Sequence, residues 1–153
     1  MTRSVLGRLV SRADAQGLSG DELRERRLGE IKQIAESFTY DLGLLIAGHE
    51  VDFERYLAPH AVARLRAAVE PFLASGDAMR PNFGEYGELR IEGNLLDSDA
   101  PVVAHIEFDD QSVRETADGD LLTMPKRRIH VMLVLDIEYG VISDFDLRPA
   151  TAY

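Results

Sequence analysis

The chain has no cysteine, which excludes disulfides, thiolate nucleophiles and cysteine-based metal sites. A zinc site would have to come from the carboxylates and four histidines, and those histidines are scattered at 49, 60, 105 and 130. No metal and no cofactor is therefore expected. There is no apolar run near the roughly 20 residues that span a bilayer, and the first residues lack the long apolar stretch of a secretory signal. A membrane role is not expected, and the cytoplasm is the expected address. Cations are scarce as well: 17 Lys and Arg stand against 27 Asp and Glu, a formal net charge of −10. That argues against nucleic acid as a partner, because phosphate binding needs a cationic surface. The length of 153 residues suits one domain with a real core.

One local exception to the acidity opens the chain. "MTRSVLGRLVSRAD" carries Arg3, Arg8 and Arg12 with no acid before Asp14. Val5, Leu6, Leu9 and Val10 would form an apolar stripe if the segment were helical. Residues 1–18 read as an arm or a short amphipathic helix, packed on its own domain or offered to a partner. Residues 19–153 read as a single α+β domain.

Ser19 precedes Glu22 at capping-box spacing. From Leu28 the apolar positions run Ile31, Ala35, Phe38, Leu42 and Leu45, which predicts a long amphipathic helix ending near Gly48. Asp52 is placed to cap a short second helix, "FERYL". Pro59 suits the first turn of a third helix, whose stripe is Val62, Leu65, Val69 and Phe72, and Pro71 should kink or end it near Glu70. "ASGDAMRPNFGEYGE", residues 74–88, is loop by composition. Its Phe83 and Tyr86 either cover a pocket mouth or pin the loop to the core.

Beyond Glu88 the apolar period switches from helical to two. Strands are expected at about 88–96, 101–116, 121–138 and 142–148, so helices pack on one face of a four-stranded antiparallel meander. A two-residue turn at Asp118-Gly119 would set Phe108 opposite Ile129, Ile106 opposite Val131, Ala104 opposite Leu133 and Val102 opposite Leu135. A four-residue turn at "DSDA" would set Leu95 opposite Val102, Ile91 opposite Ile106 and Leu89 opposite Phe108. These registers leave the sheet's inner face without an ionisable side chain.

The stretch "AHIEFDD" puts His105, Glu107 and Asp109 side by side on the other face, as a metal or proton-transfer site would require. The same registers give each a complementary neighbour: Glu92 for His105, Arg90 and His130 for Glu107, Arg128 for Asp109. A structural ladder of cross-strand pairs is the expected reading. The final turn should be bulged, aiming Phe145 and Leu147 inward and leaving Asp136 facing Asp144, with Asp146 nearby. Met132, Val134 and Ile142 then form an apolar patch on the outer face, where a second copy of the chain is the expected partner.

The three helices, the meander and the ending "VLDIEYGVISDFDLRPA" resemble the nuclear transport factor 2-like, or cystatin-like, superfamily over about residues 28–150. "VDFERYLAPHAVARL" is similar to the short-helix segment before that family's third helix. The resemblance implies a cone: a curved sheet wraps the long first helix and opens into an apolar pocket, with dimers formed through the convex face. Pocket residues would be Phe38, Tyr56, Phe83, Tyr86 and Phe108. The family's inner-strand acid has no match in these registers, so acid–base groups would have to come from Tyr40, Asp41 or His49. Three readings follow. The first is a non-catalytic dimeric domain whose pocket binds a small hydrophobic ligand or serves assembly. The second is a pocket enzyme, isomerase-, dehydratase- or cyclase-like, on a small hydrophobic substrate. The third is an adaptor working through the basic N-terminal segment.

Overall fold

The computed structural model describes residues 17–97 and 99–150, so the expectation for the basic N-terminal segment lies outside the described residues. The first helix, α1, spans Gly20–Ile46 and is capped by Ser19, whose Oγ accepts from Glu22 N at 3.2 Å. Its buried stripe begins one residue before the expected start. Arg27 is fully buried and donates to Leu95 O at 2.6 Å, whereas Leu28 is 41% exposed. Ile31, Ile34, Ala35, Phe38, Leu42 and Leu45 continue the stripe. The expected second helix is a single 3-10 turn at Phe53–Arg55, and Asp52 makes no side-chain capping bond to it. The second α-helix, α2, spans Pro59–Ala74 and continues past Pro71. So close to the end of a helix, a missing proline N–H removes only one backbone bond.

Among the described residues eight antiparallel strands follow: β1 Ala78–Arg80, β2 Phe83–Gly84, β3 Arg90–Glu92, β4 Val102–Asp110, β5 Val113–Glu115, β6 Leu121–Thr123, β7 Arg127–Asp136 and β8 Val141–Pro149. They form two sheets. The larger has the order β2-β4-β7-β8, with β3 also on the free edge of β4, and the smaller has the order β1-β5-β6. The architecture is thus mixed α+β with antiparallel sheets, richer than a four-stranded meander.

The central pairing is the expected one. Val102 lies opposite Leu135, Ala104 opposite Leu133, Ile106 opposite Val131 and Phe108 opposite Ile129. The turn that leads to it differs. Thr116 N donates to Asp120 O and Gly119 N to Thr116 O, so the loop is Ala117–Gly119, with Gly119 at φ 87°. That shifts the β5–β6 pairs by one, to Val113 opposite Thr123. Between the two sheets the returning strand carries one residue more, Met124–Lys126 against Gln111 and Ser112, which restores the register at Asp110 opposite Arg127.

Two other expected registers change. Arg90 lies opposite His105 and Glu92 opposite Val103, displaced by two residues, because the connection from Gly93 to Pro101 is longer than a four-residue turn. An even slip keeps every side chain on its expected face. At the last hairpin a bulge lies between Val134 and Leu135, and Ser143 is the unpaired residue opposite it. Phe145 and Leu147 face inward as expected, but so does Ile142, opposite Leu135 and fully buried. Ile142 also exchanges backbone bonds with Tyr56 O at 2.7 Å and Ala58 N at 2.9 Å, so the segment before α2 covers the start of the edge strand. Asp136 consequently faces Val141, not Asp144.

The segment expected to be loop, residues 74–88, holds β1 and β2. Asn82 clips it down: its O accepts from Gln111 N at 2.9 Å and its N donates to Ser112 Oγ at 3.1 Å. The Phe83 ring lies 4.7 Å and the Tyr86 ring 5.6 Å from Phe108, so both aromatics pin the segment to the sheet.

Phe38 sits at the centre of the core, fully buried, 5.6 Å from the Phe145 ring and 6.4 Å from Phe53. Phe38→Ala should therefore cost about 3–5 kcal/mol in urea unfolding, the penalty of a core cavity. A loss under about 1 kcal/mol would instead place that ring at an open surface.

Candidate functional site

A cleft forms where the two sheets part. One wall is the end of α1, with Leu42 and Ile46. The second is the face of α2 carrying Leu65, Ala68, Val69 and Phe72. The third is the last inner-face turn of β4, β7 and β8, with Phe108, Ile129, Phe145 and Leu147. It comprises two adjoining cavities of about 530 and 430 Å³ that share Ile46, Ala68, Val69, Asp110 and Arg127. The size falls in the usual range for small-molecule sites.

Asp110 and Arg127 are the last paired residues of the large sheet, so they stand at the junction of the two cavities. Asp110 is buried. Its Oδ1 accepts from Ser112 N at 2.9 Å and its Oδ2 from Arg127 Nε at 3.1 Å. These bonds compensate the buried charge. The inner face thus carries Asp110 and Arg127 at its end, contrary to the expectation that it holds no ionisable side chain. Asp110 shares the parity of Phe108 in "EFDD", and that alternation was the signal for it. Arginines stand around the opening. Arg64 pairs with Asp144 at 2.6 Å, its guanidinium 4.4 Å from the Phe145 ring. Arg114 pairs with Asp77 and lies 5.3 Å from the Phe72 ring, and Arg148 pairs with Asp146.

Of the expected pocket residues, Phe83 and Phe108 line the larger cavity, while Phe38 and Tyr56 are sealed in the core. Tyr86 borders a separate shallow groove of about 300 Å³ beside Tyr40, Leu44 and Pro81. The expected acid–base candidates do not converge. Tyr40 is 69% exposed at that groove and His49 is exposed beyond the end of α1. Asp41 is buried, and its Oδ2 accepts from Tyr56 Oη at 2.7 Å and Arg55 Nη2 at 2.8 Å. Burial, then the bond to Asp41, pushes the Tyr56 phenol far above its usual range, so it stays a neutral donor. Neither Asp41 nor Tyr56 lines the cleft. Sequence spacing alone did not bring them together, because they sit on different elements.

On the outer face, His105 Nδ1 and His130 Nε2 lie 2.9 Å apart, and His105 Nε2 is 3.2 Å from Glu92 Oε1. Arg128 Nη1 and Lys126 Nζ reach Asp109 at 2.9 and 3.1 Å, and Arg128 Nε reaches Glu107 at 3.6 Å. The Arg128 bond, then the Lys126 bond, holds the Asp109 carboxyl below its usual range. "AHIEFDD" is therefore a ladder of cross-strand pairs. Among the described residues no cluster of three or more His, Asp or Glu is placed to hold a metal ion, and no helix is long and apolar enough to cross a membrane. Met132 and Val134 lie on this outer face, half-buried. Ile142 does not.

Scans of family models and of curated proteins gave no match. A solved structure from Catenulispora acidiphila, described as a complex with S-DNPA, is similar over 80% of this chain and 94% of its own. It shares 16% sequence identity, with a TM-score of 0.47.

The buried Asp41 site yields a direct expectation. Tyr56→Phe should lower stability by about 1.5–3 kcal/mol, the range for a hydrogen bond to a charged group. Asp41→Ala should lower it further, by taking the acceptor from both the Tyr56 phenol and Arg55 Nη2. Urea unfolding of the two variants checks the order, and equal or negligible losses would contradict the buried network.

Proposed function

We propose that this chain is a non-catalytic binding domain of the nuclear transport factor 2-like kind, which takes a small hydrophobic molecule into the cleft between α2 and the sheet. The observation that carries this reading is the lining. Leu42, Leu65, Val69, Phe108, Ile129 and Phe145 present an apolar floor, and the one buried carboxylate on it, Asp110, is engaged by Ser112 and Arg127. A pocket enzyme acting through Tyr40, Asp41 or His49 finds less support, because none of the three lines this cleft. The proposed partner is a second copy on the outer sheet face, across Met132 and Val134.

One experiment addresses both parts. The neutral fluorophore N-phenylnaphthylamine is titrated into the protein while light scattering reports the subunit number. Wild type should be a dimer that enhances the fluorescence with saturation. Ala68 lines both cavities from α2 and is solvent-exposed, so Ala68→Trp should fill the cleft and weaken the fluorophore at least about tenfold while leaving the dimer intact. Unchanged binding by this variant would place the fluorophore elsewhere and overturn the cleft reading. A monomer would overturn the pairing.

A further inference from the structure

Resting on the cleft reading above, we infer that the ligand is amphipathic: an apolar body with a carboxylate-like anionic head, held by Arg127 at the junction of the two cavities. Each arginine around the opening meets an acid, Arg64 with Asp144, Arg114 with Asp77, Arg127 with Asp110 and Arg148 with Asp146, so what sets one of them apart is its unused donors rather than an excess of charge.

Arg127 brings such unused donors to the apolar floor. It shares the inner face with Phe108 and Ile129, next to the apolar floor. Asp110 holds it through Nε only, at 3.1 Å. Among the described residues neither of its Nη nitrogens has a hydrogen-bond partner. Asp110 is in turn fixed by Ser112 N at 2.9 Å. The guanidinium is thus anchored at one edge while its terminal fork stays open, and that fork matches the two oxygens of a carboxylate. Its side chain is 61% exposed, so an incoming head group can reach it without unfolding the pair with Asp110. Asp110 acts here as a positioning residue.

The test is displacement of bound N-phenylnaphthylamine by three probes of one chain length at pH 8: decanoate, decanol and decyltrimethylammonium. Decanoate should bind at least about tenfold more tightly than decanol, and the cation more weakly than either. Raising the salt should erode the decanoate advantage and leave decanol unaffected. R127Q should bring decanoate down to the level of decanol. R127K keeps a charge opposite Asp110 but lacks the fork, and it should retain only part of the advantage even if R127Q folds poorly. Equal binding of decanoate and decanol by wild type would overturn the anionic head and leave the apolar cleft standing. A preference for the cation would overturn it too. A wild type that binds neither the fluorophore nor any of the three probes would overturn the cleft reading itself.

Discussion

The parity of the β4–β7 ladder is the constraint on which the rest of the structure depends. Every second residue of the pair, from Val102 opposite Leu135 to Phe108 opposite Ile129, is apolar and buried. Each of these side chains other than Ala104 contributes about 1.5–3 kcal/mol when fully removed from water. A slip of one residue would expose all of them at once. The bulge at Ser143 serves the same parity. It lets Ile142 and Phe145, three positions apart, both face inward, and it sends Asp144 and Asp146 outward. Helix α1 then covers this face with Ile31, Ile34, Phe38 and Leu42, and α2 closes the side.

The cleft arises where that regularity stops. Beyond Asp110 and Arg127 the strands part, and the smaller sheet continues one residue out of step. No inner-face pair fills the space between α2 and the sheet at this point. Polar groups gather there for the same reason. Asp110, Ser112 and Arg127 satisfy one another at the break, whereas a charged pair in the middle of the ladder would displace packed apolar side chains. Another buried carboxylate, Asp41, lies away from the cleft and is closed off by Tyr56 and Arg55. It ties α1 to the turn before α2, which is a structural task.

Much of the fold was legible because alternation is a strong signal over long strands. The register of β4 against β7 follows from it even though the turn has three residues where two were expected. The extra residue at Met124–Lys126 compensates. Short elements were less legible. β1 and β2 have two or three residues each, too few for a period, and tertiary anchors such as Asn82 and Phe83 create them. The burial of Arg27 depends on its bond to Leu95 O, a long-range contact that helix periodicity does not reveal. At the site, the apolar floor was visible from parity at Phe108, and Asp110 was equally visible two positions on. What spacing could not supply was the break between the sheets, which turns those residues into the walls of a cleft. Nor could it place the bulge, which was expected at the final turn and lies opposite Ser143, so that Ile142 is withdrawn from the outer face.

The measurement that tests this account most directly is amide hydrogen exchange under native conditions. The account predicts that β4 and β7 amides from Ala104 to Phe108 and from Ile129 to Leu133 exchange only through global unfolding. Amides of β5 and β6 should exchange by local opening, because that sheet is short and its β6 residues are exposed. Equal protection of the two sheets, or faster exchange in β4 and β7 than in β5 and β6, would contradict the central ladder as the element on which the rest is built.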